Sequence, residues 1–459
     1  MKELSMLLKN SWKVRLLLLL MLSLILALNI SCKSQEKGPV EESQQSESIS
    51  SPMARPSGAE PKATSADSQV LAGTTSDPII HFPDPGLDDT VRRLTAVSNR
   101  SIRASDLKDL HYLRGSEKGI QDLSGIEHCA ALTRLQLGKN RISDLRPLRG
   151  LHQLTELDLH NNRITDVSPL AGLINLKVLG LVYNQIQDLT PLQTLTRLEK
   201  LNLVHNDIRD VFPLASLSNL TTLFLVENPI QDIAPLAGLP NLTYLYLDST
   251  SIQDPSPLAG MSSLRWLYLM DNNLEDISFL KRMTNLTTLS LSRNRISDIQ
   301  VLAGLTNLGG LSLGHNQITS IAPLSRLTKL HFLVLSGNRL QDFSPLAGLT
   351  QLTQLELEQT TISDTAVLAG LVNLKSLDLE DNNIADISGL VKNCKAGGLG
   401  KGDMVKLEEN PLSDQAVEQD IPFLLSQGVR VEYSPRNEQE RMRMIAPPPG
   451  FRPRPAPPR

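Results

Sequence analysis

The sequence predicts a single α/β solenoid, an open stack of short coils with a parallel sheet on its concave side and 3₁₀ turns on its convex side. A 22-residue pattern that begins at Leu132 runs through twelve units without insertion or deletion. Leucine fills most inward positions, whereas aromatic residues are only 3% of the chain. An asparagine occupies one fixed position in ten of the twelve units. The 459 residues are therefore predicted to form one repetitive domain, not the roughly three that about 150 residues per domain would suggest.

Each unit is predicted to contain a strand, a corner and a tight return. Leu135, Gln136 and Leu137 alternate with the period of a strand, so the leucines point inward and Gln136 points outward. The segment from Asp144 to Leu148 is too short for a full helix, and its proline suits the first position of a 3₁₀ turn. One coil cannot bury its own leucines, but stacked coils share them.

The asparagines are predicted to form a ladder at the corner after each strand. A buried amide offers two donors and an acceptor, so it can satisfy backbone groups that the corner leaves unpaired. Thr250 and Thr360 interrupt this ladder, and their units also carry Pro255 in an apolar position and Val367 in place of proline. We expect local weak points there. The asparagines are Asn140, Asn162, Asn184, Asn206, Asn228, Asn272, Asn294, Asn316, Asn338 and Asn382.

The repeated motif LxxLxLxxNxIxDLxPLxxL resembles the leucine-rich repeat in its 22-residue form, and the chain resembles the internalins of bacterial surfaces from about residue 78 to residue 433. The resemblance implies a horseshoe with an N-terminal cap over residues 78–109 and thirteen repeats over 110–395, of which the first is degenerate. A terminal repeat and a C-terminal cap, with a helix near 414–427, would occupy 396–433. The sortase signal and wall-binding modules that many internalins carry do not occur in the sequence.

The N-terminal residues predict export and a lipid anchor. Basic residues precede an apolar run of fifteen residues from Leu16 to Ile30, which is typical of a secretory signal and shorter than the roughly 20 residues of a membrane-spanning helix. Leu28 to Cys32 resembles the lipobox of bacterial lipoproteins, although Asn29 stands where that family prefers leucine. We predict a signal peptide over 1–31 and lipidation of Cys32. A plain secretory signal, or an uncleaved membrane anchor, is the alternative.

Both flanking segments are predicted to be disordered. Residues 32–77 are rich in Ser, Glu, Gln, Ala and Pro, too polar to offset the entropy of ordering, and would form a tether beyond the lipid. Residues 434–459 form a Pro/Arg-rich tail with six arginines. An extended, disordered state is predicted for it, with a PxxP ligand or an anionic-surface contact as the alternative.

Composition argues against several functions. The net charge of −4 lacks the basic footprint of a nucleic-acid-binding domain. Cys32, Cys129 and Cys394 are too few and too scattered for a disulfide framework or a zinc site. Cys129 occupies a leucine position, so a buried structural thiol is expected. No catalytic constellation or phosphate loop is recognisable, and we predict no enzyme activity, no cofactor, no metal and a monomer.

The candidate ligand-binding residues lie on the concave columns of the predicted sheet. Five aromatics fall on three consecutive strands, although the core does not need them, and exposed aromatics are typical interface anchors. The alternative is that neighbouring rings merely cover one another. The predicted site comprises Tyr183, Phe224, Val226, Tyr244, Tyr246, Trp266, Tyr268 and Met270.

The C-terminal part of the same face is acidic. Its carboxylates lack the spacing of a calcium loop and are interpreted as a solvated charged face; they are Glu356, Glu358, Asp378, Glu380 and Asp381. Together these features predict an exported, membrane-anchored recognition protein that binds a protein partner through its concave face. The resemblance to internalins adds the idea of a host receptor. The alternative is an envelope-scaffolding protein that binds wall or surface glycan and has no host role.

Overall fold

The computed structural model describes residues 77–434. The predicted signal peptide, Cys32, all of the tether except residue 77, and all of the tail except residue 434 lie outside the described residues. Residues 78–433, which carry the resemblance to internalins, all lie inside them.

The N-terminal end of the sheet is covered by two short strands and two helices. Strand β1 (Ile79–Ile80) pairs antiparallel with β2 (Ile102–Arg103), and helices α1 (Pro85–Thr95) and α2 (Ala104–Leu107) lie beside them. The buried Asp84 begins α1: its Oδ1 accepts hydrogen bonds from the backbone N–H groups of Gly86 and Leu87 at 2.9 and 3.1 Å. Its Oδ2 accepts from the N–H of Gln121 at 2.7 Å. One carboxylate thus joins the cap to the first coil.

Fifteen three-residue strands form one parallel sheet in chain order. From β3 to β15 every residue pairs with the residue 22 positions later, and the next two steps are 28 and 26 residues. The predicted period therefore determines the strand register. The strands are β3 (Tyr112–Arg114), β4 (Arg134–Gln136), β5 (Glu156–Asp158), β6 (Val178–Gly180), β7 (Lys200–Asn202), β8 (Thr222–Phe224), β9 (Tyr244–Tyr246), β10 (Trp266–Tyr268), β11 (Thr288–Ser290), β12 (Gly310–Ser312), β13 (Phe332–Val334), β14 (Gln354–Glu356), β15 (Ser376–Asp378), β16 (Met404–Lys406) and β17 (Arg430–Glu432).

Within residues 77–434, twelve 3₁₀ turns return the chain on the convex side, as predicted. In most of them an aspartate side chain accepts from the N–H two residues later, as Asp144 does from Arg146 at 2.9 Å and Asp188 does from Thr190 at 2.8 Å, which fixes the bend. The turns are Ile126–His128, Arg146–Leu148, Ser168–Leu170, Thr190–Thr194, Phe212–Ser216, Ala234–Gly238, Ser256–Gly260, Ser278–Arg282, Gln300–Gly304, Ala322–Arg326, Ser344–Gly348 and Ala366–Leu368.

Helices replace the 3₁₀ turns at the C-terminal end. Helix α3 (Ser388–Lys395) follows β15, and a π-helical turn (Ala416–Asp420) leads into α4 (Ile421–Ser426) between β16 and β17. The predicted helix near 414–427 is therefore present, with a π turn in its first half. These elements pack on one another and close the leucine core at this end.

The asparagine ladder is confirmed. Asn162 is buried; its Nδ2 donates to the carbonyl oxygens of Leu137 and Leu159 at 3.0 and 2.9 Å, and its Oδ1 accepts from the N–H of Ile142 at 3.0 Å. One amide thus links its own coil to the preceding one. The terminal coil repeats the arrangement with Asn410, whose Nδ2 donates to Leu379 at 2.8 Å.

At the interruptions a hydroxyl provides fewer links. The Thr250 hydroxyl lies 3.0 Å from the carbonyl oxygen of Leu247 and 2.5 Å from the Oδ1 of Asn272, and the Thr360 hydroxyl donates to Leu357 at 2.8 Å. A hydroxyl has one hydrogen where an amide has two. Pro255 is only half-buried in the apolar position.

The cysteines in the described residues are free thiols. Cys129 is fully buried in the leucine core, and burial raises the pKa of its thiol to about 12. The prediction of a buried structural thiol is confirmed.

Candidate ligand-binding surface

Five aromatic side chains lie together on β8, β9 and β10, and we call Phe224, Tyr244, Tyr246, Trp266 and Tyr268 the aromatic cluster. The register aligns them in two columns across the sheet. The Phe224 and Tyr246 rings stack at 4.3 Å between centroids, and Tyr246 stacks on Tyr268 at 4.6 Å. Tyr244 meets Trp266 edge to face at 5.2 Å. The 22-residue period brings these rings into contact because parallel strands lie only about 4.8 Å apart.

The stacking changes which residues a partner can reach. Phe224 and Tyr246 are only 6% and 4% exposed, and Val226 is also buried, so the expectation that the whole set is exposed is wrong for these three. The rings of Phe224 and Tyr246 are covered by neighbouring rings, as the alternative interpretation predicts. Tyr244, Trp266, Tyr268 and Met270 are half-buried and form the accessible layer of this surface.

Burial also changes the ionisation of the tyrosines. The pKa of Tyr268 rises to about 12 because its hydroxyl is desolvated and lies near Asp248. The pKa of Tyr246 is raised further, by burial first and then by Tyr268 and Asp248. Tyrosine hydroxyls are neutral at physiological pH in any case, and the raised pKa keeps both of them neutral in more alkaline solution as well.

Tyr183 belongs to a separate group at the edge of the concave face. Its ring centroid lies 4.5 Å from that of His205, and the Nδ1 of His205 lies 2.6 Å from the Glu227 carboxylate. Tyr183 has a φ of 53°, because the residue before each ladder asparagine turns the corner in a left-handed conformation. Seven of the eight predicted residues thus lie on β8–β10 or just after these strands. Tyr183 lies apart from them.

Asp248 is a residue of this surface that the sequence analysis did not select. It is 4% exposed, and its Oδ1 accepts a hydrogen bond from the N–H of Met270 at 2.7 Å. Burial raises its pKa to about 7. The sequence did contain a signal for its burial. Asp248 lies 22 residues from both Val226 and Met270, and an aspartate between two apolar neighbours in the same column is unusual.

The acidic C-terminal part of the face is more structured than predicted. Lys406 lies among the carboxylates, with its Nζ 2.8 Å from Asp378 and 3.4 Å from Glu380. Glu380, Glu408 and Glu432 bring carboxylate oxygens within 4.8 Å of one another. Burial and a hydrogen bond with Glu408 raise the pKa of Glu380 to about 7. Carboxylates are ligands that divalent cations take, but the neighbouring ammonium group already supplies positive charge, and no cation site is assigned.

Leucine-rich-repeat family models match much of the chain. The two-copy leucine-rich-repeat model matches residues 130–172, 218–260, 262–304 and 306–348. Two further leucine-rich-repeat models match residues 152–208 and 371–390. These matches agree with the parallel sheet, the 3₁₀ turns and the asparagine ladder. The fold is a leucine-rich-repeat solenoid.

A solved structure identifies the family. Internalin InlF from Listeria monocytogenes is 35% identical, and the alignment covers 68% of this chain and 94% of InlF with a TM-score of 0.65. The chain belongs to the internalin family. The fold of this internalin is also similar to that of the InlJ functional domain from L. monocytogenes, at 21% identity, with 71% of this chain and 80% of that one covered and a TM-score of 0.55.

A leucine-rich-repeat protein from Leptospira interrogans is 22% identical to this internalin over 72% of this chain and 97% of that one, with a TM-score of 0.56. At this identity the likeness concerns the fold alone. No curated protein matches the chain. Within residues 77–434 there is no helix long and apolar enough to cross a bilayer. The leucine-rich-repeat fold is typically a non-enzymatic scaffold for recognition, which agrees with the surface described above.

Proposed function

We propose that this internalin is an exported, lipid-anchored recognition protein that binds a protein partner through the aromatic cluster. The observation that carries the proposal is the accessible layer of Tyr244, Trp266, Tyr268 and Met270 on a rigid sheet. Large side chains that are already ordered lose little entropy on binding, and tyrosine and tryptophan are typical interface anchors. A host-cell surface protein is the partner that family membership favours.

The ring geometry favours a protein over a glycan. A sugar ring stacks on an open aromatic face, whereas the faces of Phe224 and Tyr246 are occupied by neighbouring rings. The half-buried rings of Tyr244 and Trp266 meet edge to face. An irregular, partly apolar surface of this kind suits side chains of another protein better than a flat carbohydrate.

Trp266→Ala and Tyr244→Ala test the surface. Both side chains are half-buried, so truncation leaves the leucine core intact, whereas Tyr246 is too buried for this purpose. Phe212→Ala is the matched control, because Phe212 is an aromatic 70% exposed on a convex turn. Pull-downs from host-cell surface and bacterial-envelope extracts should identify a partner that both the native chain and the Phe212 variant capture. This partner should bind the Trp266 variant at least about 30-fold more weakly, which is the effect of a strong interface residue. Equal binding by the native chain and all three variants would refute the surface.

The anchor is tested separately at Cys32. Its acylation is proposed from the lipobox-like segment Leu28 to Cys32, and acyl chains there would hold the protein at a membrane. Cys32→Ala should abolish incorporation of labelled fatty acid and move the protein from the membrane fraction to the medium. Labelling that persists in the variant would show that the anchor lies elsewhere.

A further inference from the structure

The concave face at the last four strands, β14–β17, carries an excess of negative charge. The residues on and just after β14–β17 place six carboxylates on this part of the face: Glu356, Glu358, Asp378, Glu380, Glu408 and Glu432. The cations on these strands are Lys406, which contacts Asp378 and Glu380, and Arg430, which donates to the carbonyl oxygen of Gly402 at 2.9 Å.

These carboxylates perturb one another. The pKa of Glu358 is raised by burial and by the nearby Asp378, and that of Glu380 is raised to about 7 by burial and by Glu408. Crowded like charges in a partly desolvated surface are stabilised by a cationic group that binds between them. The face is thus complementary to a basic segment.

A basic segment begins at this end of the sheet. Ser434 lies two residues after β17, where its Oγ accepts from the N–H of Glu409 at 3.0 Å and lies 3.2 Å from the Glu409 carboxylate. The 25 residues that follow contain six arginines, two glutamates and eight prolines. Their net charge of +4 is opposite to that of the strands beside which they start.

The length of the segment matches the distance to the aromatic cluster. Seven strand spacings separate β17 from β10, about 34 Å at about 4.8 Å each. A proline-rich chain in the polyproline II conformation advances about 3.1 Å per residue, so about eleven residues cover this distance. The acidic strands β14–β17 span only three of these spacings, about 14 Å, so residues 435–445, with Arg436, Arg441 and Arg443, would cover them without being fully extended, and about six further residues in the polyproline II conformation reach β10. Residues 446–459, with Phe451 and seven of the eight prolines, would reach β8–β10, and proline-rich segments bind aromatic-lined surfaces.

We propose that residues 435–459 of this internalin bind back across its own concave face, the arginines against the acidic strands and the proline-rich part against Tyr244, Trp266 and Tyr268. The segment would then occupy the surface that the partner needs and regulate the partner's access to the aromatic cluster. This regulatory role rests on the proposed function, whereas the contact itself does not. The partner would have to displace the tail.

Trp266 provides a direct readout of this contact. The chain has two tryptophans, Trp12 and Trp266, so Trp12→Phe in the full chain leaves a single tryptophan inside the proposed contact. We expect acrylamide to quench it at least about twofold more strongly when the six arginines after Ser434 are replaced by glutamine. Salt at about 0.5 M should have the same effect on the native tail, because it screens the ion pairs. A synthetic peptide of residues 435–459 added to the glutamine variant should restore the protection.

Matched controls separate the outcomes. Glu438→Gln with Glu440→Gln makes the tail more basic and should preserve or increase the protection, whereas Glu358→Gln with Glu380→Gln on the face should reduce it. Glu275→Gln on a convex coil should change nothing. Equal quenching of Trp266 in the chains with the native and the glutamine tail would overturn the contact. Protection of Trp266 that disappears on dilution would mean that the tail of a second copy, and not the chain's own tail, makes the contact. No partner is present in these measurements, so their failure leaves the proposed recognition function intact, and failure of the pull-down leaves the tail contact intact.

Discussion

At the scale of single residues, Asp248 shows how a repeat accommodates an ionisable group. Its carboxylate accepts a hydrogen bond from the N–H of Met270, two residues after β10, which an apolar side chain in the same position could not do. The cost is burial, which raises the pKa of Asp248 to about 7 from an ordinary value of 3.8. Between these two values the folded chain holds a proton that the unfolded chain has released, so stability decreases as the pH rises through this window.

Asp248→Asn should remove this pH dependence. The amide oxygen can still accept from Met270, and the variant should be more stable than the native chain at pH 8 and nearly equal to it at pH 4. The gain at pH 8 should not exceed about 4 kcal/mol, since one pKa unit corresponds to about 1.4 kcal/mol. Urea unfolding at several pH values measures it. Asp254→Asn is the control with the opposite sign. The N–H of Ser256 lowers the pKa of Asp254, so loss of this carboxylate should destabilise the folded chain at pH 8.

At the scale of elements, the change from 3₁₀ turn to helix at α3 depends on a glycine. Gly389 stands where most other units have proline, and a Cβ built on it would lie 2.1 Å from the carbonyl oxygen of Thr365. The N–H of Gly389 donates to the Thr365 hydroxyl at 3.2 Å, which satisfies a polar group in a position that the other units fill with apolar residues. Helix α3 therefore packs more closely on the preceding coil than a 3₁₀ turn with proline would.

Gly389→Ala should destabilise the chain by at least about 2 kcal/mol, because the backbone of α3 must move away from Thr365 and overpacking of a tight contact costs about 1–3 kcal/mol. Gly238→Ala is the matched control, since a Cβ there meets nothing within 4 Å and a compatible Gly→Ala change stabilises by about 0.4–1 kcal/mol. Chemical denaturation of both variants decides the matter. Equal stability would mean that α3 tolerates the shift.

At the scale of the whole molecule, stability is approximately a sum of coil and interface contributions, so single coils can open locally. The coils of Thr250 and Thr360 remain the predicted weak points, since each replaces a two-donor amide by a hydroxyl. Thr250 lies four residues after the end of β9, so opening of its coil would also disturb the aromatic cluster.

Hydrogen exchange should be faster in the coils of Thr250 and Thr360 than in their neighbours. Thr250→Asn should slow it, because the amide can donate to the preceding coil as well as to Leu247, a gain of about 1 kcal/mol for one hydrogen bond. Ser251→Asn, the same change one residue outside the ladder, should have no such effect. Uniform protection along the solenoid would contradict the prediction.

The sequence by itself determined the repeat, the strand register, the asparagine ladder and the buried Cys129, because a strict 22-residue period places equivalent residues in equivalent environments. It also determined that five aromatics share three adjacent strands. Only the tertiary structure decided which of them remain accessible. Rings on neighbouring strands stack and bury Phe224 and Tyr246, and that outcome depends on side-chain rotamers, which a one-dimensional pattern does not contain. The tertiary structure also decided that Asp248 is buried. It likewise brought Glu380, Glu408 and Glu432 together, which the repeat could not predict because the last two steps of the sheet depart from the 22-residue period.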